Sequence, residues 1–265
     1  MKESNLKFNR RPDGEVAGKP VFIAGQNFAR FGESLDAGLI NKLKRFFKNL
    51  PRFYSFLFYV INPALFLGRK PDYILSLLPP EAVVADIGSG ARRLHPKIIN
   101  IDMHPWTEVD IIADAHDLPF ADESIDGVIL SWTLEHLRNP EKVVSELHRV
   151  LKRGGYIFLS TNFVYPYHPS PNDYYRWSRE GLKELLKNFE EIEFKMAVGP
   201  TSAALAVFQE WAAIVLSFGI KPIKDFFWAI FVVLTFPVKT LDFLLIRYKT
   251  AESIAGGFYY IGRKK

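Results

Sequence analysis

Glu81-Ala82-Val83-Val84-Ala85-Asp86-Ile87-Gly88-Ser89-Gly90-Ala91 is the stretch whose reading decides the fold. Pro79 and Pro80 end whatever precedes it, and the apolar run Val83 to Ala85 then meets an acid and a pair of glycines. A buried parallel strand entering a tight turn has this composition. Gly88 and Gly90 lack the Cβ atoms that would hold a ligand away from the backbone. Asp86 falls at the strand's carboxyl end, where open α/β sheets bind ligands. Such a strand-turn is common, and alone it points only toward a nucleotide-type site.

Working outward, three more apolar runs follow. Ile98 to Asp102 again ends in an acid, suited to hold a ribose diol. Val109 to Asp114 does the same and continues into Ala115-His116-Asp117-Leu118-Pro119-Phe120. Ser124 to Ser131 leads into Trp132-Thr133-Leu134-Glu135-His136-Leu137. Acids at three successive strand ends suit an adenosine-bearing ligand. In these motifs and their order the chain resembles the class I S-adenosylmethionine-dependent methyltransferases, specifically the type-11-like group, over residues 70–198. DIGSG resembles that family's first motif and DAHDLPF its adenine-side motif. SIDGVILSWTLEHL and RVLKRGGYIFLS resemble the later ones.

The resemblance implies a Rossmann-like, seven-stranded, mostly parallel sheet that binds S-adenosylmethionine. It assigns Asp86, Gly88, Ser89 and Gly90 to the methionine end, Asp102 to the ribose, and Asp114 with the Ala115 amide to the adenine. Met103 covers one face of the adenosine, and Ser131 completes the cofactor set. A dinucleotide reading is disfavoured, because its glycine pattern requires glycine where Arg93 stands. Two departures from the family stand out. Its third glycine is replaced by Arg92, whose charge is placed to assist at the methionine carboxylate. Only residues 91–97 separate the glycine turn from the second strand, whereas parallel crossovers usually take about a dozen residues or more. The first helix is therefore expected to shrink to a turn around Arg92 to Pro96.

The 265 residues suffice for one sizeable domain with embellishments. The absence of cysteine excludes a disulfide framework and a thiolate metal site, and suits a cytoplasmic setting. The six histidines show no ligand spacing such as HExxH, so no metal site is expected. A net charge of +5 is modest, but no acid occurs between Asp36 and Asp72 while seven basic residues do. Residues 1–34 lack an apolar signal-peptide core and read as a loose arm. Residues 39–50, LINKLKRFFKNL, read as a basic amphipathic helix, and the charge-free stretch after Phe53 is broken at Asn62-Pro63. This segment either packs on the sheet or lies on a membrane surface with its lysines near anionic headgroups. Nucleic acid is the least favoured partner.

Residues 69–78 read as a helix leading into the core, and residues 141–151 as a helix packed on the sheet before the fifth strand, Tyr156 to Ser160. Thr161 to Trp177, TNFVYPYHPSPNDYYRW, is rich in proline and polar rings and follows a strand's carboxyl end, so it reads as an acceptor-lining loop or a rigid packed one. Ser178 is placed to cap the next helix. Residues 192–198 and 257–261 read as the sixth and seventh strands, which the family pairs as a terminal hairpin. Between them residues 199–256 form an apolar helical insertion: one helix to about Phe218, a second from about 223 to 248 kinked at Pro237. No charge-free run in it reaches the roughly 20 residues of a membrane span. It is a lid, a dimer interface or a monotopic membrane contact. The chain thus divides into arm and basic helices (1–68), core (69–198), insertion (199–256) and last strand with tail (257–265).

The cofactor's sulfonium makes its methyl electrophilic, so the protein's main task is in-line positioning of an acceptor. A base is required only where the acceptor loses a proton, and His136, His168 and Tyr175 are the candidates. The favoured expectation is methyl transfer to a small apolar or lipid-linked acceptor, with the protein cytoplasmic and peripheral on the inner membrane face. The alternatives are a soluble homodimeric small-molecule methyltransferase and a non-catalytic cofactor-binding module.

Overall fold

A computed structural model describes residues 6–23 and 64–265. The amphipathic helix expected at 39–50, and the stretch 53–63, lie outside the described residues. Within them β1 (Gly14–Val16) and β2 (Lys19–Phe22) form a hairpin. The central strands are β3 (Val84–Ile87), β4 (Ile99–Asp102), β5 (Ile111–Ala113), β6 (Ile125–Ser131) and β7 (Leu151–Asn162). They are parallel, and β8 (Phe189–Val198) and β9 (Gly257–Lys264) complete the sheet. The strand order is β1-β2-β5-β4-β3-β6-β7-β9-β8, with β9 antiparallel to both neighbours. The order in which the chain adds strands reverses between the parallel neighbours β3 and β6, so their carboxyl ends open a crevice at a topological switch point.

The sheet has nine strands where the family resemblance implies seven. The two extra strands come from residues 14–22, which are not a loose arm. Val21 and Phe22 pair in parallel with Ile112 and Ala113 and are buried beside them. The hairpin turns at Ala17 and Gly18, both left-handed, as a two-residue turn requires. It covers the edge that β5 would otherwise expose.

The core strands read as continuous apolar runs because both faces are covered. On one face α1 (Pro140–Val150) buries Val143, Val144, Leu147 and Val150, and α2 (Arg179–Leu185) buries Leu182. Ser178 caps α2 as expected, its Oγ accepting from the Gly181 amide at 3.1 Å. On the other face residues 69–78 make a 3-10 turn over Pro71–Leu77 rather than an α-helix, with Ile74 buried against Val84, Ile129 and Phe158.

No helix joins β3 to β4. Arg93 does the fastening instead. Its guanidinium pairs with Asp110 at 2.9 and 3.1 Å, with Glu108 Oε2 at 2.8 Å, and donates to the Ile98 and Glu108 carbonyls. A planar fork with five donors suits this multiple grip.

The insertion is a helical hairpin, α3 (Pro200–Ser217) and α4 (Lys221–Thr235), followed by a 3-10 turn (Val238–Leu241) and α5 (Asp242–Leu245). The chain bends by 48° between α4 and the segment Val238–Leu245, at the expected Pro237. No single described helix is long and apolar enough to cross a membrane. Asp242 closes the hairpin. Its buried carboxylate accepts from the Thr201 and Ser202 amides at 2.7 and 2.8 Å, capping α3 from a distant part of the chain.

Candidate active site

The turn after β3 is laced to β4. The Gly88 and Ser89 amides donate to the Ile101 carbonyl at 2.8 and 3.1 Å, and the Gly90 amide donates to Asp102 Oδ2 at 2.9 Å. Gly88 and Gly90 both have positive φ, +71° and +59°. A Cβ on Gly88 would lie 2.3 Å from the Thr133 side chain, whereas one on Gly90 would meet open space. The first glycine therefore admits the β6 loop, and the second leaves a concavity at the crevice.

The three strand-end acids differ in their surroundings. Asp102 is held from both sides, its Oδ1 accepting from the His104 amide at 2.9 Å. Asp114 Oδ1 accepts from the His116 amide at 2.9 Å and lies 2.7 Å from His116 Nδ1, which leaves Oδ2 toward the half-exposed side. Asp86 is fully buried, and neither of its oxygens has a hydrogen-bond partner. The nearest cation is Arg92, with Nη2 4.0 Å from Oδ2. Burial pushes the Asp86 carboxyl up to about 7, against the pull of Arg92.

Of the remaining cofactor candidates, Met103 is exposed and Ala115 half-buried in the turns after β4 and β5. Ser89 is buried within the glycine turn. The Ser131 hydroxyl lies 3.0 Å from Ser160 Oγ and ties β6 to β7, while its carbonyl accepts from Arg92 at 3.3 Å.

The other half of the crevice lies past β6 and β7. Trp132 takes a left-handed turn, φ +56°, a rare conformation for a bulky residue, and throws the chain into a short 3-10 turn, Leu134–His136. Glu135 is fully buried there. Its Oε1 accepts from Asn162 Nδ2 at 2.6 Å and its Oε2 from the Thr161 hydroxyl at 2.9 Å. Burial raises its pKa against these bonds.

The loop 163–177 folds back onto this carboxylate, and the Glu135 carbonyl accepts from the Tyr174 amide at 2.8 Å. His168 faces the His136 ring with centroids 5.1 Å apart, and its Nε2 lies 3.9 Å from Glu135 Oε1. Burial lowers the His168 pKa while Asp173 opposes the shift. Asp173 itself is held at about 2 by the Arg176 guanidinium, which grips both of its oxygens at 2.6 Å.

Two catalytic candidates, His136 and His168, are thus brought together. Tyr175 has a different engagement: its hydroxyl donates to the Arg138 carbonyl at 3.0 Å and its ring packs on Trp177. Thr161 and Asn162 belong to this network although neither is among the candidates drawn from the sequence. Their one signal was polarity closing an apolar strand at Ser160-Thr161-Asn162.

The insertion springs from this same end of the sheet. β8 runs parallel to β7, so α3 begins at the carboxyl-end edge, and β9 returns to it with Gly257 opposite Asn162 and Val198. The Phe163 and Val164 amides donate to the Gly256 and Ala255 carbonyls, joining the acceptor-side loop to the end of the insertion.

A family model described as a methyltransferase domain matches residues 86–159. Among curated relatives, an uncharacterized protein of Methanocaldococcus jannaschii is 49% identical over 49 residues, 18% of this chain and 24% of its own. The biotin biosynthesis bifunctional protein BioHC of Teredinibacter turnerae is 48% identical over 50 residues, 19% of this chain and 9% of its own. A demethylmenaquinone methyltransferase of Clavibacter sepedonicus is 51% identical over 47 residues, 18% of this chain and 19% of its own. The matches thus span less than a quarter of these relatives' length. Among solved structures, phosphoethanolamine N-methyltransferase 2 of Haemonchus contortus, in complex with S-adenosyl-L-methionine, superposes with a TM-score of 0.44 at 17% identity, covering 72% of this chain and 51% of that one. Residues 86–159 belong to a class I S-adenosylmethionine-dependent methyltransferase domain.

S-adenosylmethionine is the cofactor of that class, and the crevice fits it. The orphaned Asp86 carboxylate suits the ammonium of the methionine end, and the open concavity at Gly90 suits close backbone approach. The acceptor capacity that Asp102 and Asp114 retain beyond these bonds suits a ribose diol and an adenine amine. When bound, the cofactor supplies an electrophilic methyl. The residues present would anchor its charged end and leave the His136–His168 side free to face an acceptor.

Proposed function

We propose that the protein transfers a methyl group from S-adenosylmethionine to a small apolar or lipid-linked acceptor at a membrane surface, on the cytoplasmic side. The observation that carries this reading is the insertion. Its helices bury small residues, Ala203, Ala206, Ala212 and Ala213, and turn large ones outward. Trp211, Phe218, Phe226 and Leu234 are 60%, 92%, 62% and 66% exposed. So many large apolar side chains exposed on one insertion suit a binding face. The insertion rises from the acceptor end of the sheet and is hydrogen-bonded to the acceptor-side loop.

A cavity of about 680 Å³ at its foot is lined by Arg69, Lys195, Arg247 and Lys249 together with Glu193 and Glu252. Arg247 and Lys249 have no carboxylate partner among the described residues, which suits an anionic headgroup or a lipid-linked phosphate. Relatives named for demethylmenaquinone, a lipid-soluble quinone, fit the same acceptor class.

Two measurements test the reading. Calorimetry should give micromolar S-adenosylmethionine binding, and the protein should co-sediment with vesicles containing anionic lipid. Trp211→Asp with Phe218→Asp should reduce that sedimentation at least about fivefold. No cofactor binding by folded protein would overturn the methyltransferase activity. A stable detergent-independent dimer that ignores vesicles would favour the soluble reading, with the insertion as its interface.

A further inference from the structure

We propose that Glu135, His136 and His168 form a binding site for a borderline divalent cation of the zinc, iron and nickel class. One ligand atom from each residue lies within 4.8 Å of the others. Metal–ligand bonds of about 2.0–2.2 Å bring such atoms to roughly 3.4 Å apart in a tetrahedral site, so an ångström-scale closure completes the geometry. Two imidazoles with one carboxylate select this class of metal over calcium or magnesium.

The second independent observation is the state of the outer ring nitrogens. His136 Nδ1 lies 2.6 Å from the Asn172 carbonyl, an acceptor only, so this nitrogen carries the proton and Nε2 the lone pair. His168 Nδ1 faces the Pro166 carbonyl at 3.2 Å and Asp173 Oδ2 at 3.3 Å. Arg176 Nη2, the one donor nearby, is farther at 3.5 Å, so the proton again sits on Nδ1. Metal-binding histidines are held in this manner, the far N–H donated to a carbonyl or carboxylate that fixes tautomer and ring orientation.

Glu135 Oε1 and His168 Nε2 already face a donor. Asn162 Nδ2 donates to Glu135 Oε1 at 2.6 Å and lies 3.3 Å from His168 Nε2, between the two. Glu135 is fully buried, and a buried carboxylate is stabilised by a nearby cation. Sequence spacing conceals the site, since His168 reaches the Glu135-His136 pair only through the fold-back of the loop after β7. The cation-binding claim stands without the methyl-transfer reading. On that reading the cation is placed to hold the acceptor's oxygen or nitrogen.

The test is a Co²⁺ titration of the full, untagged chain after chelator treatment, followed by visible absorption. The chain has no cysteine to compete. The expected result is one Co²⁺ per chain with micromolar or tighter affinity and the bands of a nitrogen–oxygen site. Affinity should fall at least tenfold in His168→Gln and in Glu135→Gln, and remain within twofold of wild type in His95→Gln. Absence of stoichiometric binding in folded wild type, or equal binding by the His168 and Glu135 variants, would overturn the site. S-adenosylmethionine calorimetry on the same samples reports the cofactor separately: retained cofactor binding with no Co²⁺ binding rejects the cation site alone.

Discussion

The two halves of the crevice are built from different chemistry. Around β3, β4 and β5 the ligand-facing groups are carboxylates, and the loops behind them are held by backbone amides and the Arg93 clamp. Past β6 and β7 they are imidazoles and one buried carboxylate, held by side chains drawn from separate loops. The first half is an anchor for a ligand of fixed charge pattern, complete within a short span of chain. The second is assembled from separate stretches, with the 163–177 loop folded onto it and hydrogen-bonded to the end of the insertion. On the proposed function, anchoring and acceptor choice are therefore separable by mutation.

The largest expected effect probes whether the insertion is independent of the anchor. Asp242→Ala leaves the α3 amides of Thr201 and Ser202 without their charged acceptor. Each such bond contributes about 1.5–3 kcal/mol, so the insertion should lose about 3 kcal/mol or more of local stability. Limited proteolysis should then cut within 200–256 at far lower protease concentration, while cofactor affinity changes less than about twofold. If both fail together, the two halves are one cooperative unit.

Next comes the anchor itself. Asp102→Ala removes a ribose partner and the acceptor of the Gly90 amide, and should weaken S-adenosylmethionine binding at least about tenfold, about 1.4 kcal/mol, by calorimetry.

A smaller effect concerns pH. The cofactor's ammonium would pair with ionised Asp86, whose carboxyl is pushed up to about 7 by burial. Affinity should therefore rise by somewhat under about tenfold from pH 6 to 7.5 and level off above, and Asp86→Asn should flatten the profile. Folding of the free protein has the opposite dependence. A raised folded pKa gives stability that is present below the unfolded value of 3.8 and is lost as pH rises through about 7. The asparagine variant should accordingly melt higher than wild type at pH 8.

The smallest effect is Tyr175→Phe. Losing one partly exposed hydroxyl-to-carbonyl bond should cost about 0.5–1.5 kcal/mol in urea denaturation and change the transfer rate less than about twofold.

The anchoring half was legible in the sequence because it is local. An apolar run ending in an acid has the same meaning wherever the strand pairs, and Ala91 to Lys97 was visibly too short for a helix. The position of the insertion was legible for the same reason. The hairpin at 14–22 was not, because its partner β5 lies far along the chain and its alternation is only a few residues long. His136 and His168 were legible singly, but not their meeting at Glu135, since that needs Trp132 in a left-handed turn and a loop folded back from beyond β7. Nor did composition reveal which side of α3 is covered. An apolar helix ordinarily buries its large residues, and here alanines are buried while Trp211 and Phe218 are exposed.

The placement of β9 has a consequence for how the molecule is made. In sequence it follows β7, β8 and the whole insertion, yet in space it lies between β7 and β8. During synthesis the apolar helices therefore leave the ribosome while two sheet edges still lack their common partner. For that interval the nascent chain carries unpaired strands and bare aromatic side chains at once. Its yield in the cell should depend on what shelters those helices, a chaperone or a bilayer, before the last strand arrives.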